Sequence, residues 1–144
     1  MKFEVGSILF ISNYPLPTKV KDKFFIVIGH FENEISLLSM TTSKIYFDPI
    51  LIKHGLIQDR DLSLYCFEKD RVIGQNGFAF RKHTFVTHRK NILEFPIGKI
   101  NSLDVSCLDC LIKQELKDLI YNIYKKAPPK YKSEFEKIMI DLSK

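Results

Sequence analysis

The chain has no tryptophan, few cysteines and no long apolar run. Tryptophan is absent from its 144 residues, and there are only three cysteines. A small, odd number of cysteines argues against a secreted disulfide scaffold, so the reducing cytoplasm is the expected location. No apolar run approaches the ~18 residues that span a bilayer, and no signal peptide follows the N-terminal Lys2, so no membrane association is expected.

The residues that are present indicate a globular protein with a mild basic character. Hydrophobic residues make up 45% and charged residues 27%, which suits a single domain over residues 1–144. Phenylalanine occurs 12 times, so the core is predicted to be rich in this residue. The net charge of +5 favours a nucleic acid or another acidic partner, without requiring one.

The first hundred residues are predicted to be mainly strand. Residues 24–28 form a continuous apolar run, which is typical of a central strand buried on both faces. Residues 6–11, 35–40 and 62–67 are also predicted strands. The expected fold class is therefore mainly β with C-terminal helices: a barrel over 1–100, with an excursion at 46–75, and helices over 101–144.

The C-terminal segment shows helical spacing. Apolar residues recur every three or four positions from Leu108 to Ile123, which predicts a helix with one apolar stripe. The two consecutive prolines, Pro128 and Pro129, should end this helix. Ser133 and Glu136 have the spacing of a capping box and predict the start of a final helix.

A cation and two hydroxyls flank the predicted central strands. Lys23 stands at the entrance of the buried strand, and Thr42 and Ser43 follow the next strand. Hydroxyls and an ammonium that meet at one edge can hold a phosphate. The alternative is that Lys23 is a solvated strand-entry residue and that Thr42 and Ser43 form a turn.

The order of these motifs resembles that of the MazF/PemK family of toxins, over residues 5–45 and 80–125. That family has an opening strand with a Gly-x-Ile start, a Val/Ile-rich second strand, and a third strand that ends in Thr-Ser. The matching segments are 6–10, 24–28, 42–43, the stretch His83-Thr-Phe-Val86, and Ile97-Gly-Lys-Ile100 before a helix.

The resemblance implies a fold, an activity and partners. The fold would be an SH3-like bent barrel of the MazF/PemK/CcdB type. The activity would be that of a ribonuclease toxin, with metal-independent cleavage of single-stranded RNA and no cofactor. Lys23 would stabilise the phosphorane, and Thr42 or Ser43 would orient the phosphate. The protein would be a homodimer with RNA across its interface, neutralised by a cognate antitoxin protein.

The sequence departs from the family pattern at two points, and the first of them supports a non-catalytic function. Lys23-Phe24 stands where the family has Arg-Pro, and lysine lacks the planar fork that grips two phosphate oxygens. The region 46–80 and the tail after Pro128 exceed the family's compact plan. The main alternative is a non-catalytic SH3-like barrel that binds a peptide or nucleic acid. A mobile-element protein that binds a host factor is also compatible with the sequence.

A second basic segment follows residue 80. Arg81, Lys82, His83, His88 and Arg89 are candidates for binding the RNA backbone. Histidine titrates near neutrality, so both histidines are also candidates for proton transfer. The alternative for the whole segment is a solvated hairpin.

The pair Cys107-x-x-Cys110 lacks the four ligands of a structural zinc site. At the predicted helix N-terminus, its thiol pKa would be lowered. Packing in the core is the alternative for Cys110.

Overall fold

The computed structural model of the chain describes residues 3–32, 34–44, 48–59, 62–87 and 92–144. These residues contain eight strands, three α-helices and a short 3-10 helix at Pro49–Leu51. The elements are β1 Ser7–Pro15, β2 Val20–Phe31, β3 Ile35–Met40, β4 Gly55–Asp59, β5 Leu62–Phe67, β6 Thr84–Thr87, β7 Ile92–Pro96, α1 Ile97–Asn101, β8 Asp104–Cys110, α2 Lys113–Lys126 and α3 Pro129–Leu142.

The strands form two antiparallel sheets. The larger sheet has the order β7-β3-β2-β1-β8, and the smaller one has the order β4-β5-β6. An isolated bridge between Thr42 and Phe85 joins the end of β3 to β6. The predicted class, mainly β with C-terminal helices, is confirmed, and the strands of the described residues do not form a closed barrel. No described helix has the length and apolar character needed to cross a membrane.

Strand β2 lies at the centre of the larger sheet, as its apolar run predicts. Phe25 to Ile28 are all fully buried. Because side chains alternate along a strand, Ile26 and Ile28 pack towards α2, α3 and the smaller sheet, and Phe25 and Val27 pack on the opposite face with Phe95. Both faces of this sheet are therefore covered.

The excursion predicted at 46–75 contributes to the second sheet. Strand β4 pairs with β5 along its whole length, so part of this region is a β-hairpin. Strand β5 matches the strand predicted at 62–67. The basic segment before Phe24 is also strand, because Lys21 and Val20 pair with the end of β1.

Two predictions about the C-terminal helices are wrong. The helix predicted from about residue 101 begins at Lys113, because residues 104–110 instead form strand β8 along the free edge of β1. The final helix begins at Pro129, not near Ser133, because proline suits the first helical position, where its missing N–H would have no partner. Ser133 and Glu136 therefore lie inside α3.

A buried carboxylate holds the turn after residue 73 against β8. Asp109 is 6% exposed. Its oxygens accept hydrogen bonds from the backbone N–H groups of Cys110 at 2.7 Å, Asn76 at 3.0 Å and Phe78 at 3.1 Å. Gly74 faces the same carboxylate, and a methyl group there would collide with it. The turn is therefore shaped around this one side chain.

The pKa of Asp109 follows from these contacts. Burial raises it, but the hydrogen bonds from Cys110, Phe78 and Asn76 outweigh that effect and hold it below its ordinary value. The ionised Asp109 side chain therefore stabilises the folded state fully above pH ~4, and this stabilisation is lost as the pH falls through the lowered pKa.

We expect Gly74→Ala to lower the free energy of unfolding by about 2–4 kcal/mol, because it displaces the carboxylate and leaves buried N–H groups unpaired. Gly98→Ala in α1 is the matched control, because no described residue outside its own helix and its chain neighbours has an atom within 4 Å of the added methyl group. Helix propensity predicts a gain of up to about 1 kcal/mol for the control. Urea unfolding at neutral pH measures both, and equal effects would contradict the role of Asp109.

Candidate functional site: a cationic cleft

A cavity lies where the two sheets meet. It has a volume of about 730 Å³ and lies between the first half of β2, the end of β3, and the segment that leads into β6. We call it the cationic cleft. Its lining residues are Phe10, Lys21, Asp22, Lys23, Phe24, Thr41, Thr42, Ser43, Lys44, Phe78, Ala79, Phe80, Arg81, Lys82, Thr84 and Leu108.

Strand pairing carries Lys23 into this cleft. Lys23 lies opposite Ile11 in the β1–β2 ladder, and Lys21 lies opposite Tyr14 across an irregularity in β1. Asn13 has a φ of 53° at this irregularity, and its N–H donates to the Asp22 carboxylate at 2.9 Å. Asp22 therefore stabilises the bend.

The hydroxyls after β3 differ in what they already bond. Thr41 is buried, and its hydroxyl donates to the carbonyl of Phe24 at 3.0 Å. The Thr42 hydroxyl accepts from the N–H of Lys44 at 3.2 Å, so it shapes the local turn. The Ser43 side chain is exposed and has no hydrogen-bond partner among the described residues. Ser43 is thus the hydroxyl most open to a ligand.

The cleft concentrates positive charge. The pKa of Lys23 lies below its ordinary value, first because of burial and then because of repulsion from Lys21, Lys19 and Lys44. In the described part of the chain, Lys23 makes no ion pair. A bound anion would relieve this repulsion, so the electrostatics favour an anionic ligand.

Aromatic rings form the floor of the cleft. Phe24 contacts Phe10 and Phe80 edge to face, with ring centroids 5.2 Å apart in both pairs. Phe78 lies 5.0 Å from Phe80. Phe10, Phe24 and Phe78 are half-buried, so they offer apolar surface beside the lysines. A flat ring and a phosphate can be held side by side here.

The structure brings most of the predicted RNA-binding residues to this region. Arg81 and Lys82 are exposed at the rim of the cleft. His83 lies outside it and lines a smaller neighbouring cavity. His88 and Arg89 lie outside the described residues. Lys23, Thr42 and Ser43, the predicted catalytic residues, all line the one cleft, but this geometry does not establish their roles.

A buried polar network that the sequence analysis did not predict lies outside the cleft. His54 Nε2 lies 2.6 Å from a Glu115 oxygen, and the Tyr65 hydroxyl donates to the same carboxylate at 3.1 Å. The N–H of Glu68 donates to His54 Nδ1, so the neutral ring carries its proton on Nε2. Burial, then Glu115, raises the pKa of Tyr65 well above its ordinary value. The network ties α2 to the smaller sheet.

The cysteine pair does not have the environment that the predicted helix would give it. Cys107 and Cys110 lie in strand β8. Cys107 is exposed, and the pKa of its thiol is raised, first by partial desolvation, rather than lowered by a helix N-terminus. Cys110 is half-buried, and its sulfur lies 3.7 Å from the Ser7 hydroxyl. Among the described residues, no three His, Cys, Asp or Glu side chains group as a metal site would require.

The fold and the cleft define a mainly β protein with a groove lined by lysine and arginine side chains. No family model, curated protein or solved structure matches the chain. The likeness to MazF/PemK toxins therefore stays a prediction based on short motifs.

We expect Lys23→Gln to raise the melting temperature in low salt, because it removes a charge that burial and neighbouring lysines destabilise. The wild type should gain stability relative to the variant as the pH rises through the lowered pKa of Lys23 towards the ordinary lysine pKa of 10.5, since the folded chain then releases this proton while the unfolded chain still binds it. Differential scanning fluorimetry measures both effects.

Lys137→Gln on α3 is the control for net charge alone, because Lys137 is exposed and lies outside the cleft. High salt should reduce the difference between the two variants by screening the repulsion. The same melting temperature for both variants in low salt would contradict the proposed repulsion.

Proposed function

We propose that the protein binds single-stranded RNA in the cationic cleft and cleaves it as a ribonuclease of the MazF/PemK toxin type. The observation that carries this proposal is that Lys23, from the first half of β2, lines one cleft with Thr42 and Ser43, which follow β3. An ammonium and hydroxyls around a phosphate are the groups that such a reaction requires.

The shape and chemistry of the cleft favour an unpaired strand. Its cations attract the backbone, and its half-buried phenylalanines offer surfaces on which bases stack. Bases in a duplex are already stacked and paired, so they cannot use these surfaces. Unpaired RNA also allows the sugar to rotate until its 2′-oxygen is in line with the scissile bond.

The proposed reaction is an internal transfer. The 2′-oxygen forms a bond to the adjacent phosphorus as water takes its proton, and the bond from phosphorus to the 5′-oxygen breaks. Water gives a proton to the leaving 5′-oxygen, so the products are a 2′,3′-cyclic phosphate and a 5′-hydroxyl. Lys23 stabilises the additional negative charge on phosphorus, and the exposed hydroxyl of Ser43 donates to a phosphate oxygen.

Other parts of the proposal follow from the family resemblance. The two sheets, joined at Thr42 and Phe85, would correspond to an SH3-like bent barrel. The protein would act as a homodimer, and a cognate antitoxin would place an acidic segment in the same cleft. The positive charge of the cleft supports an acidic inhibitor.

Binding without cleavage is the second candidate function. Two observations favour it: the Thr42 hydroxyl is already bonded to the N–H of Lys44, and lysine stands where the family has arginine. The same cleft would then retain RNA without reacting with it.

Cleavage of a labelled RNA oligonucleotide pool with EDTA present tests whether the protein cleaves RNA or only binds it. We expect Lys23→Ala to lower the rate about 10²- to 10³-fold, because it removes the charge that stabilises the transition state. Ser43→Ala should lower it less, and Lys137→Ala should leave it unchanged.

A substrate that lacks the 2′-hydroxyl is the matched control, because it should bind and remain intact. Binding of the RNA pool without any cleavage would favour the second candidate. Failure to bind RNA at all would exclude both functions.

The pH profile distinguishes lysine from the family's arginine. Because the pKa of Lys23 is lowered, kcat/KM should fall with rising pH at a lower pH than an ordinary lysine requires. Lys23→Arg should keep its charge and so its activity at alkaline pH, after subtraction of the uncatalysed rate. The same alkaline decline in both proteins would show that Lys23 is not the titrating group.

A further inference from the structure

A second cavity continues the groove beyond the cationic cleft. It has a volume of about 390 Å³ and shares Ser43, Arg81 and Lys82 with the cleft. We call it the His83 cavity. A strand whose phosphate lies in the cleft would therefore pass Arg81 and Lys82 and place its neighbouring nucleotide here.

The hydrogen-bond partner of His83 determines which ring nitrogen is available. The backbone N–H of Lys69 donates to Nδ1 at 3.1 Å. Nδ1 must therefore be unprotonated, and a neutral ring carries its hydrogen on Nε2. No described residue is hydrogen-bonded to Nε2. In this state, His83 offers a hydrogen-bond donor and no basic nitrogen, so binding suits it better than proton transfer.

The other polar side chains of the His83 cavity are also donors. Lys69, Arg81 and Lys82 carry only N–H groups, and Ser43 can both donate and accept. No carboxylate lines the cavity among the described residues. Pro49, Ile52 and Phe85 supply its apolar wall. A flat ring with acceptor atoms on its edge fits these two kinds of surface.

We propose that the His83 cavity is a nucleobase subsite that selects keto bases, uracil and guanine, over amino bases. The inference depends on the proposed binding of single-stranded RNA. Uracil presents O4 and guanine presents O6 and N7, all of which accept hydrogen bonds. Cytosine and adenine present an amino group at the corresponding position, and its hydrogens would face the donor of His83. An amino base would leave these groups unpaired on binding.

Two matched pairs of oligonucleotides isolate the difference between a keto group and an amino group. Oligouridine and oligocytidine differ at the pyrimidine edge, and inosine and adenosine differ at the purine edge. Fluorescence anisotropy with labelled RNA should show about tenfold tighter binding of the keto member of each pair to the wild-type protein. Substrates that lack the 2′-hydroxyl prevent cleavage during the measurement.

Two variants separate the subsite from the cleft. His83→Phe keeps a ring but removes the N–H, so the keto preference should disappear while salt-dependent binding remains. Lys23→Gln should weaken binding of both members equally and keep the preference. If His83→Phe fails to fold, the ratios measured on the wild type decide the question.

The outcomes distinguish the inference from the function on which it depends. Binding of RNA with equal affinity for keto and amino bases overturns the subsite alone. A preference that survives His83→Phe assigns the selection elsewhere and also overturns it. Failure of every oligonucleotide to bind overturns the proposed function and the subsite together.

Discussion

Two backbone hydrogen bonds between Thr42 and Phe85 position the cleft. The N–H of Phe85 donates to the carbonyl of Thr42 at 2.8 Å, and the N–H of Thr42 donates back at 3.0 Å. They join the end of β3 to the smaller sheet at one corner. Because the chain crosses between the sheets here, Ser43 and Lys44 reach the same space as Arg81 and Lys82. The bridge therefore places the residues that follow β3 beside the segment that leads into β6.

Apolar packing in the neighbouring core keeps the like charges of the cleft close together. Repulsion among Lys19, Lys21, Lys23 and Lys44 opposes folding, as the lowered pKa of Lys23 indicates. The core beside them is apolar, and β2 continues from Lys23 through the half-buried Phe24 into residues 25–28, which are fully buried. On the other side, Asp109 holds the turn that carries Phe78 against the floor. A rigid frame can therefore keep like charges close, and a ligand anion gains from that arrangement.

Local sequence patterns correctly predicted the strands that are strongly apolar. The predicted strands at 35–40 and 62–67 match β3 and β5, and the run at 24–28 lies at the centre of β2. Patterns failed where a partner decides the structure. Residues 104–110 form a strand because β1 offers an unpaired edge, although the apolar spacing from Leu108 is typical of a helix. Lys21 likewise belongs to a strand only because Tyr14 pairs with it.

Composition and close neighbours in the chain are enough to specify the central strand, the basic character and the residue types that suit a phosphate. Tertiary contacts are needed to bring Lys23 and Ser43 into one cleft, to set the tautomer of His83 through Lys69, and to pair Glu115 with His54. These contacts join residues far apart in the chain, and their partners are selected by sheet pairing and packing. A local sequence pattern does not specify these partners, because many alternative strand pairings satisfy the same pattern equally well.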